Sequence, residues 1–205
     1  MVTMFQPDSL LIRFLTKVCD LIFLNIMFLL SCVTIVFSGT AITALYAITL
    51  KMIQKKDSPL KGFLRILREN FIPAVPATVL LFTAIALFAF LREALYAEVL
   101  LISPVLFILL CIAAVFLTAL LSYLFPLLAH FDNTFSGHLK NAGCLALANL
   151  PVTFLLTAVN LWPFLLSMLF PQLLGVVFAF LLLIGFAAGA YVNAFYLNRI
   201  FEQYR

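Results

Sequence analysis

Between positions 99 and 125 the chain reads VLLISPVLFILLCIAAVFLTALLSYLF, without one charged residue. Three more runs of this kind follow or precede it, at 71–91, 145–170 and 173–197. A helix crosses a bilayer with about 20 apolar residues at roughly 1.5 Å each. Each run is long enough. Backbone groups in hydrocarbon must be satisfied within the segment, which selects helices over an open sheet. Strand-like alternation with polar residues is absent, which excludes a transmembrane barrel. Composition agrees: 66% of residues are hydrophobic and 10% are charged, whereas a soluble domain carries about 25% charged residues. The expected fold is an all-α, polytopic transmembrane helical bundle, with residues 1–205 as a single integral membrane domain.

The N-terminal third is less regular. The start, MVTMFQPDSLLIRFLTKVCD, is polar and leads into a long apolar run with no small-residue cleavage site, so the N-terminus is expected to be retained. Residues 21–50 are nearly free of charge and too long for one upright span. FSGT at 37–40 offers a break, because glycine weakens a helix and Ser and Thr favour caps. Either 21–37 spans and 41–53 returns as a short helix, or one long helix projects beyond the membrane. Charge chooses between topologies. Lys51, Lys55, Lys56, Lys61, Arg65 and Arg68 cluster in one loop, and such loops stay cytoplasmic. Six passes with both termini cytoplasmic leave only Arg92 outside. Five passes with the N-terminus outside also move Arg13 and Lys17 out. Six is the favoured count, in a cell-membrane location, with 126–141 cytoplasmic and turns at 92–98 and near Pro171 outside.

The segments DSPLKGFLR (57–65) and DNTFSGHLK (132–140) match at Asp57/Asp132, Gly62/Gly137, Leu64/Leu139 and Arg65/Lys140. Each is expected between a descending and an ascending helix, which points to an internal repeat around 41–91 and 116–169. Asp57 or Ser58, and Asp132 or Asn133, are the expected caps of the helices that follow. Residues 60–69 then form an amphipathic surface helix. Leu60, Phe63, Leu64 and Leu67 lie on its apolar face, and Lys61, Arg65 and Arg68 face headgroups or a partner. The residues expected to contact lipid or a partner are Lys61, Arg65, Arg68, Asp132, Asn133, Gly137 and Lys140.

Chemistry-bearing patterns are sparse. His130 and His138 are two helical turns apart and cannot share a metal ion; both are expected in a loop. Cys19, Cys32, Cys111 and Cys144 form no C-x-x-C pair and are expected as buried free thiols. No nucleophile elbow, phosphate-binding loop or zinc motif occurs. The expectation is a non-enzyme without cofactor, metal or nucleic-acid partner. Asn25, Asn160 and Asn193 are the polar groups deepest in the apolar runs, where crosslinking of neighbouring helices is their ordinary role. Gly185 and Gly189 form a G-x-x-x-G expected to pack helices.

The stretches TALYAITLKMIQKKDSPLKGFLRILRENF and YLFPLLAHFDNTFSGHLKNAGCLALANLPVT resemble the YesL family, small membrane proteins of unknown function in Firmicutes and related bacteria. Members are commonly encoded beside carbohydrate ABC importers. The resemblance implies an accessory membrane protein that works with such an importer, its permease or its ATPase subunits. It supplies no catalytic residues. An autonomous small-solute carrier or channel is the alternative. Oligomeric state is left open.

Overall fold

The computed structural model describes residues 10–54, 62–96 and 103–203. Among them there is no strand. The elements are α1 (Leu10–Cys32), α2 (Ser38–Ile53), α3 (Phe63–Glu69), α4 (Phe71–Tyr96), α5 (Pro104–His130), α6 (Phe135–Ala148), α7 (Leu150–Leu169), α8 (Leu174–Phe180) and α9 (Phe186–Gln203). Six segments are long and apolar enough to cross a membrane: Leu11–Cys32, Ile35–Ile53, Phe71–Leu95, Pro104–His130, Leu150–Ser167 and Pro171–Gln203. The chain is a multi-pass helical membrane protein.

The break in the first apolar run falls earlier than FSGT. A short 3-10 turn at Ile35–Phe37 separates α1 from α2, and Ser38 and Gly39 already belong to α2. One long N-terminal helix is therefore ruled out. Gly39 instead permits a close approach, because a Cβ there would collide with the Thr78 side chain. Phe37 and Phe71 also meet, with ring centroids 4.9 Å apart. Thus α2 and α4 approach each other near their beginnings. From Gly39 to Leu50 every residue of α2 but Ile42 is buried. This short, alanine- and threonine-rich helix is the centre of the bundle, packed by α1, α3, α4, α5 and α9.

The other ends of three helices gather together. Gln54, just past α2, donates from Nε2 to Asn198 Oδ1 of α9 at 2.8 Å. His130 closes α5 and stacks on Phe201 of α9, with centroids 5.5 Å apart.

The apolar run 145–170 is not one span. It splits at Asn149, whose Nδ2 and backbone N–H both donate to Leu145 O, at 3.2 and 3.0 Å, while its own carbonyl accepts from Thr153 N. Asn70 repeats this pattern between α3 and α4. Its Nδ2 and N–H both reach Ile66 O at 3.0 Å, and its carbonyl accepts from Ala74 N. The segments α2–α3–α4 and α5–α6–α7 thus share element order and junction chemistry. Asn70 and Asn149 are 79 positions apart, however, against 75 for the matched DSPLKGFLR and DNTFSGHLK. Gly62 precedes α3, whereas Gly137 lies inside the first turn of α6. The helical ends correspond, and the glycines do not.

Two expected turns begin later than the sequence implied. Pro126, Leu127 and Leu128 are buried within α5, so the polar turn spans only residues 131–134. Arg92 and Glu93 still belong to α4, which runs on to Tyr96. Among the described residues the four cysteines are free, but none is buried; Cys19 and Cys144 are exposed.

Candidate functional site

Polar groups concentrate in two places: the short helices α3 and α6, and the middle of the bundle.

On the first, α3 buries Phe63 and Ile66, half-buries Leu67, and leaves Leu64 65% exposed rather than on the apolar face. Arg65 and Arg68 are exposed, and Arg65 Nε pairs with Glu69 Oε1 at 3.2 Å. An exposed i,i+4 pair of this kind contributes at most about 0.5 kcal/mol. Asp57, Ser58, Pro59, Leu60, Lys61 and Glu98 lie outside the described residues.

The cap of α6 is Thr134, not Asp132 or Asn133. Its hydroxyl accepts from Gly137 N at 3.2 Å. Asn133 serves the step before, with Oδ1 accepting from Thr134 N at 2.8 Å. Asn133 also explains Gly137: a Cβ there would meet the Asn133 amide at 2.5 Å. The close neighbour of Gly137 is a side chain and not another backbone. Asp132, Asn133 and Lys140 are exposed.

His138 is not in a loop. It is a buried residue of α6 whose Nδ1 has no partner. Burial holds its pKa below the ordinary value, while the Asp132 charge and a backbone hydrogen bond with Asn133 pull the other way. Beside it runs a groove of about 410 Å³. Leu127, Phe131, Leu145 and Phe201 form its apolar part, and Asp132, Asn133 and Asn141 its polar edge.

In the middle of the bundle the three asparagines part company. Asn25 of α1 is wholly buried. Its Nδ2 donates to Leu181 O at 3.0 Å and Leu182 O at 2.8 Å, and its Oδ1 accepts from Ala187 N at 3.0 Å. The two carbonyls belong to the π-helical turn Leu181–Gly185 that joins α8 to α9, and Ala187 N lies just past it. A π turn shifts the hydrogen-bond register and frees backbone groups. Asn25 takes up three of them.

Asn160 and Asn193 join a second network. Asn193 Nδ2 donates to Tyr46 OH and to Asn160 Oδ1, both at 3.0 Å. Asn160 Nδ2 donates to Ser122 Oγ at 2.7 Å, and Ser122 donates its own proton to Thr118 O. Four helices, α2, α5, α7 and α9, are joined here. Tyr46, Ser122 and Asn193 are buried, Asn160 is exposed, and Asn193 Oδ1 has no partner. Asn160 and Tyr46 stand between two spaces of about 500 and 370 Å³, lining both. Tyr46 and Ser122 sit singly in apolar runs and gave no sequence signal.

Gly185 and Gly189 do not share a close helix contact. A Cβ at Gly185 would meet Leu181 and Phe180, one turn back along the same chain segment, and one at Gly189 would touch Val159 of α7 at an ordinary 3.7 Å. The small residues buried on α9 are Ala187, Ala190 and Ala194. Among the described residues no group of three His, Cys, Asp or Glu side chains could hold a metal ion.

Residues 21–92, from within α1 to near the end of α4, match the family described as "Protein of unknown function, DUF624". No curated protein and no solved structure matches the chain.

Proposed function

We propose that the chain is an accessory membrane protein that docks a partner at the membrane surface through its short helices α3 and α6. One observation carries this reading. Both short helices are anchored by buried side chains, Phe63 and Ile66 in one and His138 and Ala142 in the other, yet present charged groups outward. Arg65 and Arg68 are exposed on α3 and Lys140 on α6, and Asp132 edges the partly apolar groove beside α6; apolar surface with charged groups at its rim suits a protein contact. The positive-inside rule favours a cytoplasmic position for both short helices and for both termini. The YesL-family resemblance, with which the DUF624 match is consistent, makes a carbohydrate ABC importer the first partner to test.

The test is affinity purification in mild detergent from the native host, comparing the unaltered chain with the double variant Arg65→Glu/Arg68→Glu and with Lys140→Glu. A permease and an ATPase should co-purify in stoichiometric amounts and be released by the charge reversals. A lone, monodisperse chain in every preparation would sink the docking role.

A further inference from the structure

We propose that the larger intramembrane cavity binds a small uncharged molecule that joins an apolar, flat body to an amide or hydroxyl group, with Asn160 as its polar anchor. This site is independent of the docking role.

The anchor has hydrogen-bonding capacity to spare. A carboxamide offers two N–H groups and an oxygen with two lone pairs. Asn160 donates from its nitrogen to Ser122 and also reaches the Tyr46 hydroxyl, and accepts one bond at its oxygen, from Asn193. Asn160 is left with a lone pair on its oxygen. It is also the one exposed member of a network whose other amide and hydroxyl side chains, Tyr46, Ser122 and Asn193, are buried. An exposed amide with a spare acceptor, fixed by bonds to neighbouring helices, is a pre-oriented recognition group.

The walls suit the other half of such a molecule. Phe88, Phe125, Phe164 and Phe186 line the space, and the Phe88 and Phe164 rings sit 4.7 Å apart. A volume of about 500 Å³ with apolar walls and a few convergent polar groups has the character of a small-molecule site. Aromatic faces suit a flat apolar body.

Charge selects the class. Among the described residues no Asp, Glu, Lys or His lines this cavity, and the one ionisable cation that does is Arg92, which is already engaged within the protein. An ammonium ion would find no counter-charge, and a carboxylate would compete with the existing partner of Arg92. Ions buried without a counterpart are strongly disfavoured. A neutral molecule meets no such penalty.

Four probes of one shape separate these effects: benzamide, toluene, benzoate and benzylammonium. Their binding would be measured on the intact protein in phospholipid nanodiscs by ligand-observed NMR, with empty nanodiscs subtracted. Benzamide is expected to saturate, about tenfold tighter than each of the other three, the size of one well-made polar contact. Asn160→Leu should remove that advantage. Ala89→Trp, which narrows the cavity without touching the hydrogen-bonded floor, should block benzamide even if the first variant folds poorly. Equal binding of toluene and benzamide overturns the proposal. So does benzamide binding that survives Ala89→Trp, or a folded Asn160→Leu protein that still prefers benzamide.

Discussion

Asn25 and Asn160 are amides placed in the middle of apolar helices, and the protein uses them in opposite ways. Asn25 bonds to backbone: two carbonyls and one N–H at the π turn between α8 and α9. It is buried from all sides and has little left to offer. Asn160 bonds to side chains, keeps an acceptor in reserve, and faces two cavities. The difference separates architecture from recognition. A polar group that completes another element's hydrogen bonds is part of the frame. One that is held in place with capacity to spare is ready for something that arrives later.

The largest effect should follow from breaking the frame. Asn25→Leu leaves Leu181 O, Leu182 O and Ala187 N without the partner they have now. A buried backbone group left unpaired costs about 1–3 kcal/mol. The variant should therefore lose several degrees of thermal stability in detergent, or fail to accumulate in the membrane, and amide exchange at 181–187 should quicken. Normal yield and melting would show that the π turn does not depend on Asn25.

Asn193→Leu comes next. It removes the partner of Tyr46 OH and of Asn160 Oδ1 but leaves backbone pairing intact. Interhelical side-chain bonds in membranes contribute roughly 0.6–2 kcal/mol, so melting should fall by less than for Asn25→Leu. A loss equal to that of Asn25→Leu would erase the distinction between the two networks.

The same contrast recurs on the α6 face. Thr134 is occupied by its cap bond, while His138 Nδ1 has no partner. Thr134→Ala should cost about 1 kcal/mol, with local fraying of α6 seen by amide exchange. His138 should instead give pH dependence. Burial lowers its folded pKa from an ordinary 6.5. Between the folded and unfolded values the unfolded chain binds more protons, so stability rises with pH there and falls as pH drops below 6.5. His138→Gln should flatten that slope in melting curves taken across the window. An unchanged slope would assign the effect to other groups.

The long apolar runs made the helical class and the number of candidate spans readable, because bilayer thickness imposes a length that composition cannot hide. Other features depended on partners far away in the chain. The three asparagines looked alike because their bonds reach across as many as 162 positions, from Asn25 to Ala187. Tyr46 and Ser122 lay hidden as isolated residues in apolar helices. The break at Asn149 was obscured because Leu145, Ala146, Leu147 and Ala148 continue the apolar pattern up to it. The α6 cap was ambiguous locally, since Asp132, Asn133 and Thr134 are all able caps in succession. Asn133 bonding to Thr134 N is what left that role to the threonine. The cysteines were misread because small hydrophobes in a membrane bundle can as readily face lipid as the core.

The most direct test sets the two amides side by side. Asn25→Leu and Asn160→Leu would be prepared identically in nanodiscs and measured for melting temperature and for benzamide affinity. Asn25→Leu should melt well below the unaltered protein. Asn160→Leu should melt within a few degrees of it, yet lose its preference for benzamide over toluene. Equal destabilisation by both, with benzamide preference kept by whatever Asn160→Leu protein folds, would contradict the division between frame and site.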